Sequence, residues 1–306
     1  MRVVAVLNRR SGTLRRADLG RFRAHLADSF ARHGHALDCI VPSGSEELIA
    51  TIGKLAGDPK IDAIVAGGGD STASAAAGIA WSHGKALGVL PAGTMNLFAR
   101  SIGIPLDLDL AAEALAAATV GRVDIATVNE RPFVHQASVG LHARAVRLRR
   151  FYNYDSRLGK MMASLRAVLA SVAQPPVFDV EIEAGDERWS DRVTALSVSN
   201  NAYGPGHLPY ADGLDGGILG LYTARPLDRR ESLKLIADMI LGTWHVNPNL
   251  AIRRATAITL VFPRLAADAR LVVDGELLPL ERRLAFRIHP GALKVLLPAP
   301  AGPIRR

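Results

Sequence analysis

Four short apolar runs, separated by stretches of helical periodicity, constrain the fold of this chain more than any other feature. The runs are VVAVL at 3–7, ALDCIV at 36–41, IDAIVA at 61–66 and ALGVL at 86–90. Continuous apolar runs of this length are typical of parallel strands buried on both faces. Between the first two runs, apolar residues recur at helical spacing, at Leu19, Phe22, Leu26 and Phe30. The alternation predicts an α/β fold that begins with a doubly wound, Rossmann-like domain.

The pattern changes after about residue 123 to short strand-like runs between turns, such as VFDVEIEA, VTALSVSN and AITLVF. Two helical patterns interrupt these runs, near 155–172 and 229–242. This pattern of short strands and turns predicts a second, largely antiparallel, sandwich-like β domain with a few helices. A chain of 306 residues also exceeds the usual single core. We therefore expect one domain at 1–123 and another at 124–306, with the extreme C-terminus packing back on the first.

Composition narrows the partners and the compartment. Apolar residues make up 49% and charged residues 22%, which is typical of a soluble globular protein. The net charge of +8 favours acidic partners such as nucleotide phosphates or an anionic membrane. Aromatic residues are only 5% and no nucleic-acid motif is recognisable, so we expect no nucleic-acid partner. The single cysteine, Cys39, fits a reducing compartment, and we expect a cytoplasmic protein.

Three polar, glycine-containing loops follow the first, third and fourth apolar runs: NRRSG at 8–12, GGGDST at 67–72 and PAGTMN at 91–96. The carboxyl ends of parallel strands share one edge of the sheet, where ligands bind in such folds. A glycine-rich turn that opens a helix presents backbone N–H groups to an anion. Asp70 lies inside this turn, where a bare phosphate would be repelled. A carboxylate there suits a metal ion or a transferable proton, which points to phosphoryl transfer.

Taken together, these motifs resemble the diacylglycerol kinase catalytic family, which includes bacterial lipid kinases and the sphingosine and ceramide kinases. NRRSG, GGDST and PAGTMNLFAR match the family's loops, and VDIATVNERPFVHQASVG, YADGLDGGIL and VDGE follow in the expected order. The resemblance implies a kinase that uses ATP and Mg²⁺, held between the two domains, to phosphorylate a lipid hydroxyl. It also implies a lipid substrate at an anionic membrane surface and peripheral membrane association, and a homodimer is compatible with the sequence.

The resemblance also implies the roles of individual residues. The implied nucleotide-binding residues are Asn8, Ser11, Gly12, Gly67, Gly68, Gly69, Asp70, Ser71, Thr72, Gly93, Thr94 and Asn96. The implied catalytic residues are Asp70, near the phosphates, and Glu276, the general base for the substrate hydroxyl. The implied ligands of a structural magnesium ion are Asp212, Asp215 and the carbonyl-bearing Gly217, oxygen donors of the kind that Mg²⁺ prefers. From local sequence alone, VDGE reads as a hairpin with an Asp-Gly turn, and ADGLDGG has an alternative reading as a set of Asx turns.

Three positions depart from the family pattern. Arg9 replaces proline, Ser71 replaces glycine and Leu97 replaces an aspartate, which removes any acidic network built on that aspartate. The departures at Ser71 and Leu97 keep one alternative open, a non-catalytic nucleotide- or lipid-binding relative. A second alternative is an NAD kinase-like enzyme. NAD kinases share the glycine-rich loop but lack the PAGTMN loop and the late DGE.

The basic, methionine-containing segment at 144–170 has two readings, a solvated helix or a face that lies on a membrane.

Overall fold

The computed structural model describes residues 1–149, 166 and 170–298. These form two compact units. Unit 1 comprises Met1–Ile125, Asp212–Asp215 and the chain from Pro290 onward, and unit 2 comprises Ala126–Ala211 and Gly216–His289. Most of the basic segment at 144–170, for which a solvated helix and a membrane-facing surface are both open, lies outside the described residues.

Unit 1 alternates strands and helices. Its strands are β1 (Arg2–Leu7), β2 (Ala36–Ile40), β3 (Ala63–Gly68), β4 (Ala86–Pro91) and the start of β5 (Thr119–Val128). Its helices are α1 (Leu19–Arg32), α2 (Ser45–Ala56), α3 (Asp70–Ser82), α4 (Leu97–Ser101) and α5 (Leu108–Ala116). The strands β2, β1, β3 and β4 pair in that order and are all parallel. Every residue of β3 and β4 is buried, which explains their uninterrupted apolar sequences.

Unit 2 contains two antiparallel sheets. Its remaining elements are β6 (Arg131–Phe133), β7 (Gln136–Gly140), α6 (Leu141–Arg149), β8 (Phe178–Ala184), β9 (Glu187–Val193), β10 (Ala195–Ser199), β11 (Leu219–Ala224), α7 (Arg229–Leu241), a 3₁₀ turn (Trp244–Val246), β12 (Leu250–Ala255), β13 (Ala257–Val261), β14 (Arg270–Val273), β15 (Glu276–Pro279) and β16 (Arg283–Leu297). One sheet has the order β12-β11-β10-β7-β14-β15, and in the other β9, β8, β13 and the first half of β16 are neighbours.

The core of unit 2 lies between these sheets. One apolar cluster joins Val139 and Leu221 of the first sheet to Ile182, Leu260 and Phe286 of the second. Alternate residues of β8 and β16 point into this cluster while their neighbours are exposed, as strands with one buried face require. The predicted sandwich-like second domain is thus confirmed, as is the doubly wound first one.

Strand β16 passes from unit 2 into unit 1. Its Val295 pairs in parallel with Leu87 of β4, and Leu293, Val295 and Leu296 are buried. The end of the described chain therefore belongs to the parallel sheet of unit 1. No helix among the described residues is long and apolar enough to cross a membrane.

Candidate functional site

The three polar loops meet at one edge of the parallel sheet of unit 1. They follow β1, β3 and β4, which are adjacent, so their starting points are neighbours. The Asn8 N–H donates to the Gly67 carbonyl at 2.8 Å, and the Thr13 N–H donates to the Ala92 carbonyl at 3.1 Å. These two hydrogen bonds tie the first loop to the second and to the third. The convergence expected from strand order is thus present in detail.

Glycine is required where the second and third loops touch. A Cβ atom on Gly93 would lie 2.6 Å from the Gly69 Cα and 2.8 Å from the Asn96 Oδ1. A Cβ atom on Gly68 would lie 2.5 Å from the Thr72 side chain. Backbone atoms cannot move aside as the end of a flexible side chain can, so a larger residue at Gly93 would force the two loops apart.

Asp70 links the second loop to the third. Its carboxylate accepts the Asn96 N–H at 3.0 Å and the Leu97 N–H at 2.5 Å, the backbone groups at the start of α4. Asn96 is left-handed, with φ of 50°, and its Oδ1 accepts the Gly93 N–H at 2.9 Å. Asp70 is the first residue of α3, whose N-cap is Gly69. The carboxylate therefore fixes loop geometry, and each oxygen retains a second lone pair for another donor or a cation.

The polar side chains of the three loops differ in exposure. Ser71 and Thr94 are exposed, and Asn8 and Ser11 are half-buried. Thr72 is buried, with its side chain packed over Gly68. Among the predicted hydroxyl groups of the second and third loops, Ser71 and Thr94 are thus the ones that a solvent-borne ligand can reach directly.

The loop predicted to hold magnesium is divided between the two units. Asp212 and Asp215 belong to unit 1, while Gly217, with φ of 63°, belongs to unit 2. Within unit 1, the buried Asp124 donates its N–H to the Leu214 carbonyl at 2.6 Å and accepts the Gly291 N–H on its carboxylate at 2.8 Å. The described residues contain no cluster of three or more His, Cys, Asp or Glu suited to a metal ion. The predicted ligand set needs only two carboxylates and carbonyls, a composition that suits Mg²⁺, which usually retains several waters.

Glu276, the proposed general base, opens β15 directly after a two-residue turn. Its Oε2 accepts a hydrogen bond from Arg131 at 2.6 Å. Both side chains are largely exposed, 54% for Glu276 and 44% for Arg131, so solvent or a substrate has access to the carboxylate. An exposed ion pair contributes little to stability, about 0–1 kcal/mol. The pair therefore orients the carboxylate more than it stabilises unit 2.

Asp274, two residues earlier, has a different environment. Its side chain is buried and accepts three backbone N–H groups, from Val134 at 2.8 Å, His135 at 3.0 Å and Gln136 at 2.8 Å. Asp274 and Gly275 both have positive φ, as a type I′ hairpin turn requires. The expected Asp-Gly turn is present, and the Asp274 carboxylate also fastens the chain between β6 and β7.

Unit 2 contains a cavity of about 620 Å³ at the opposite end of the same hairpin. Its apolar lining includes Val139, Ala143, Val177, Phe178, Phe262, Leu265 and Leu280. Arg270 also lines the cavity. It pairs with Pro279 at one end of the β14–β15 hairpin, and Val273 pairs with Glu276 at the other end. Three residues of strand separate Arg270 from Val273, a distance of roughly 10 Å. The volume lies within the usual range for small-molecule sites.

Positive charge surrounds this cavity. The lining contains five arginines, Arg144, Arg147, Arg192, Arg264 and Arg270, against two acids, Asp179 and Asp268. Arg147 bonds to Asp268 at 2.7 Å, and this hydrogen bond and the arginine charge lower the pKa of the Asp268 carboxyl. Arg192 lies 3.9 Å from Asp179. The buried Nε of Arg144 has no hydrogen-bond partner among the described residues. The cavity thus combines an apolar lining with surplus cationic donors, which is suited to an amphiphile.

Comparison with known proteins gives the family. The diacylglycerol kinase catalytic domain model matches residues 2–128. The "Probable lipid kinase YegS-like" protein of Pseudomonas aeruginosa (strain UCBPP-PA14) is 33% identical over 246 residues, 77% of this chain and 76% of that protein. The chain belongs to the diacylglycerol kinase catalytic family. The diacylglycerol kinase of Bacillus subtilis (strain 168) is 28% identical over 71% of this chain and 72% of its own length.

A solved structure agrees at the level of the fold. The crystal structure of a diacylglycerol kinase from Bacillus anthracis str. Sterne superposes with a TM-score of 0.71 at 17% identity, covering 98% of this chain and 97% of that one. The chain is thus a kinase of the diacylglycerol kinase catalytic family. The three loops that match the family's motifs lie together at one edge of the parallel sheet of unit 1.

Sequence reasoning did not identify Arg131 as the partner of Glu276, nor the role of the Asp274 carboxylate. Arg131 lies 145 residues before Glu276, and Asp274 lies 140 residues after Val134, whose N–H it accepts. Local sequence gives no signal for pairs so far apart.

Proposed function

We propose that this kinase transfers the γ-phosphate of ATP to the hydroxyl group of a membrane lipid. The observation that carries the proposal is the cavity of unit 2, whose lining combines apolar residues with arginines and which lies on the same β14–β15 hairpin as Glu276. An acceptor whose hydroxyl meets Glu276 can extend an apolar tail toward that cavity. Neither a nucleotide nor a sugar acceptor needs such a cavity.

The loops of unit 1 supply the phosphate side of this proposal. The start of α3 carries the positive end of its helix dipole, and the glycines beside it let a phosphate approach the backbone. Ser71 and Thr94 are exposed hydroxyl donors for the same phosphates. Asp212, Asp215 and the Gly217 carbonyl would hold a structural Mg²⁺ in their loop. Asp70 holds the third loop against the second, so the donors keep their spacing.

Glu276 performs the proton transfer in this proposal. Its carboxylate takes the proton of the acceptor hydroxyl, the resulting oxygen attacks the γ-phosphorus, and the bond from that phosphorus to the bridging oxygen breaks to release ADP. Arg131 holds the Glu276 carboxylate in position through the 2.6 Å hydrogen bond. Membership of the diacylglycerol kinase catalytic family favours this reaction over that of an NAD kinase-like enzyme.

Radiolabelled ATP with a panel of acceptors tests the proposal. The panel contains diacylglycerol, phosphatidylglycerol, a sphingoid base and undecaprenol, each in detergent micelles with Mg²⁺. We expect one class to be labelled, and Glu276→Gln to lose about 10²–10⁴-fold in rate while nucleotide binding by calorimetry stays within a few-fold. Glu281→Gln is the matched control, since Glu281 is an exposed carboxylate of unit 2 that bonds to Asn129.

Two results would contradict the proposal. Equal turnover in Glu276→Gln and the parent would make VDGE a plain hairpin. Nucleotide binding without labelling of any acceptor would favour a non-catalytic relative, the reading that the departures at Ser71 and Leu97 kept open.

A further inference from the structure

Helix α7 of unit 2 ends in an apolar surface that no part of the proposed reaction uses. Ile240 and Leu241, its last two residues, are 68% and 72% exposed, and Val246, at the end of the following 3₁₀ turn, is 71% exposed. These three are the most exposed large apolar residues of the described chain. We call them the apolar tip. They lie within seven residues of one another along the chain, and contiguous exposed apolar surface marks interaction sites.

Buried contacts fix the chain next to the apolar tip. Trp244, which lies between its members, is buried in an aromatic cluster with Tyr203 and Tyr222 and donates its indole N–H to the His207 carbonyl at 3.0 Å. Gly242 ends the helix with φ of 76°, and a Cβ atom there would lie 2.6 Å from the Gly206 carbonyl carbon. The chain next to the apolar tip is therefore held by its buried residues, and the three side chains of the tip are exposed to solvent.

Charge along α7 is segregated. Arg229 and Arg230 begin the helix and are exposed, and neither forms an ion pair with any described residue. Lys234 follows on the same face and is partly neutralised by Asp238 at 3.6 Å. The other helix acid, Glu231, is used in the capping box with Asp228. The outer face of α7 thus runs from cations at its start to apolar residues at its end.

Helix stability does not account for these arginines. Cations near a helix N-terminus oppose the helix dipole and are unfavourable there by a few tenths of a kcal/mol. The placement is explained if the arginines have an anionic partner outside the protein. A second copy of the chain is a poor partner, because an antiparallel twofold pairing of this face would set the arginines of one copy against the apolar tip of the other.

We infer that the outer face of α7 docks on an anionic lipid bilayer, with the apolar tip inserted among the acyl chains and Arg229 and Arg230 against the lipid phosphates. Apolar insertion beside basic residues is the general design of interfacial helices. The choice of a bilayer draws on the proposed lipid acceptor, but the docking itself needs neither ATP nor an acceptor.

Co-sedimentation of the full chain with vesicles, without ATP, tests the inference. The vesicles are phosphatidylcholine alone, or equal parts of phosphatidylcholine and phosphatidylglycerol. We expect binding to the mixed vesicles to fall about tenfold or more in I240S/L241S, because the apolar surface is lost. We expect R229E/R230E to lose roughly fivefold per cation, on mixed vesicles only. The control L110S/V120S removes two exposed apolar residues of unit 1 and should bind as the parent does.

Three results would overturn the inference. The first is unchanged vesicle binding in I240S/L241S, which would assign docking to another part of the chain, such as the segment 144–170. The second is equal binding of the parent to both vesicle types. The third is a parent dimer in light scattering that I240S/L241S converts to a monomer, which would make a second copy the occupant.

Turnover in detergent micelles separates this inference from the proposed function. I240S/L241S should phosphorylate a micellar acceptor at the parental rate, since the apolar tip contributes nothing to the reaction. Tip-dependent vesicle binding by a parent that labels no acceptor would leave the docking surface standing and remove the kinase proposal.

Discussion

Asp274→Asn separates the two acidic residues of VDGE by their roles. Asparagine has nearly the shape of aspartate and tolerates the positive φ of 45° at this position, so the backbone turn is retained. What changes is the acceptor set. The amide oxygen can still accept two of the three backbone N–H groups, but the amide nitrogen replaces an acceptor with a donor facing the third.

The cost follows from the number and kind of hydrogen bonds. If the amide oxygen keeps His135 and Gln136, the N–H of the buried Val134 faces another donor. An unsatisfied buried donor costs about 1–3 kcal/mol. The two remaining bonds lose the charge of the carboxylate, and charge-assisted bonds are roughly twice as strong as neutral ones. We expect a loss of about 3 kcal/mol in the free energy of unfolding.

Urea unfolding followed by tryptophan fluorescence measures this loss. Glu276→Gln is the control within the same turn, because its exposed ion pair with Arg131 contributes at most about 1 kcal/mol. The expected pattern is reciprocal: Asp274→Asn loses stability, and Glu276→Gln loses turnover but unfolds close to the parent. A loss below about 0.5 kcal/mol in Asp274→Asn would show that its carboxylate does not hold the three N–H groups.

Three further outcomes are expected. Gly93→Ala should destabilise the protein by about 1–3 kcal/mol and weaken nucleotide binding in calorimetry, because the new Cβ meets the Gly69 backbone, whereas Gly53→Ala, with open space around it, should stabilise by about 0.5–1 kcal/mol. Asp215→Asn should melt at a lower temperature than the parent in the presence of Mg²⁺, and at the same temperature as the parent in its absence. Equal melting temperatures of parent and variant under both conditions would count against this loop as a metal site. Burial and the neighbouring Arg287 lower the pKa of His289, so the folded state binds fewer protons than the unfolded one, and stability should fall as the pH drops below about 6.5; His289→Gln should flatten that fall in thermal melts taken from pH 7.5 to 5.

The predictions that followed from local pattern were confirmed for the fold. The runs that became β1, β3 and β4 are apolar because both faces of a parallel sheet are covered. The sequence of each strand by itself shows this requirement. Turn chemistry is local too, so the Asp-Gly hairpin at 274–275 could be read directly. The family was recognisable because its motifs are short and lie at strand ends.

The partners of the site residues were decided only by the tertiary structure. Asp70 bonds to the start of α4, 26 residues later, and Glu276 bonds to Arg131, 145 residues earlier. Local sequence carries no information on such pairs, because which strands become neighbours, and in which register, is set by the packing of whole sheets.

Asp274 and the end of β16 show the same limit most plainly. The sequence assigned Asp274 to a turn, and its role as the acceptor for three N–H groups exists only because β14 pairs with β7. The run LKVLLPA has the pattern of a strand, but only the fold shows its neighbour, because Val295 pairs with Leu87 in the parallel sheet of unit 1. A strand's sequence specifies that it must be covered on its apolar faces, and the folded chain alone decides which neighbours cover it.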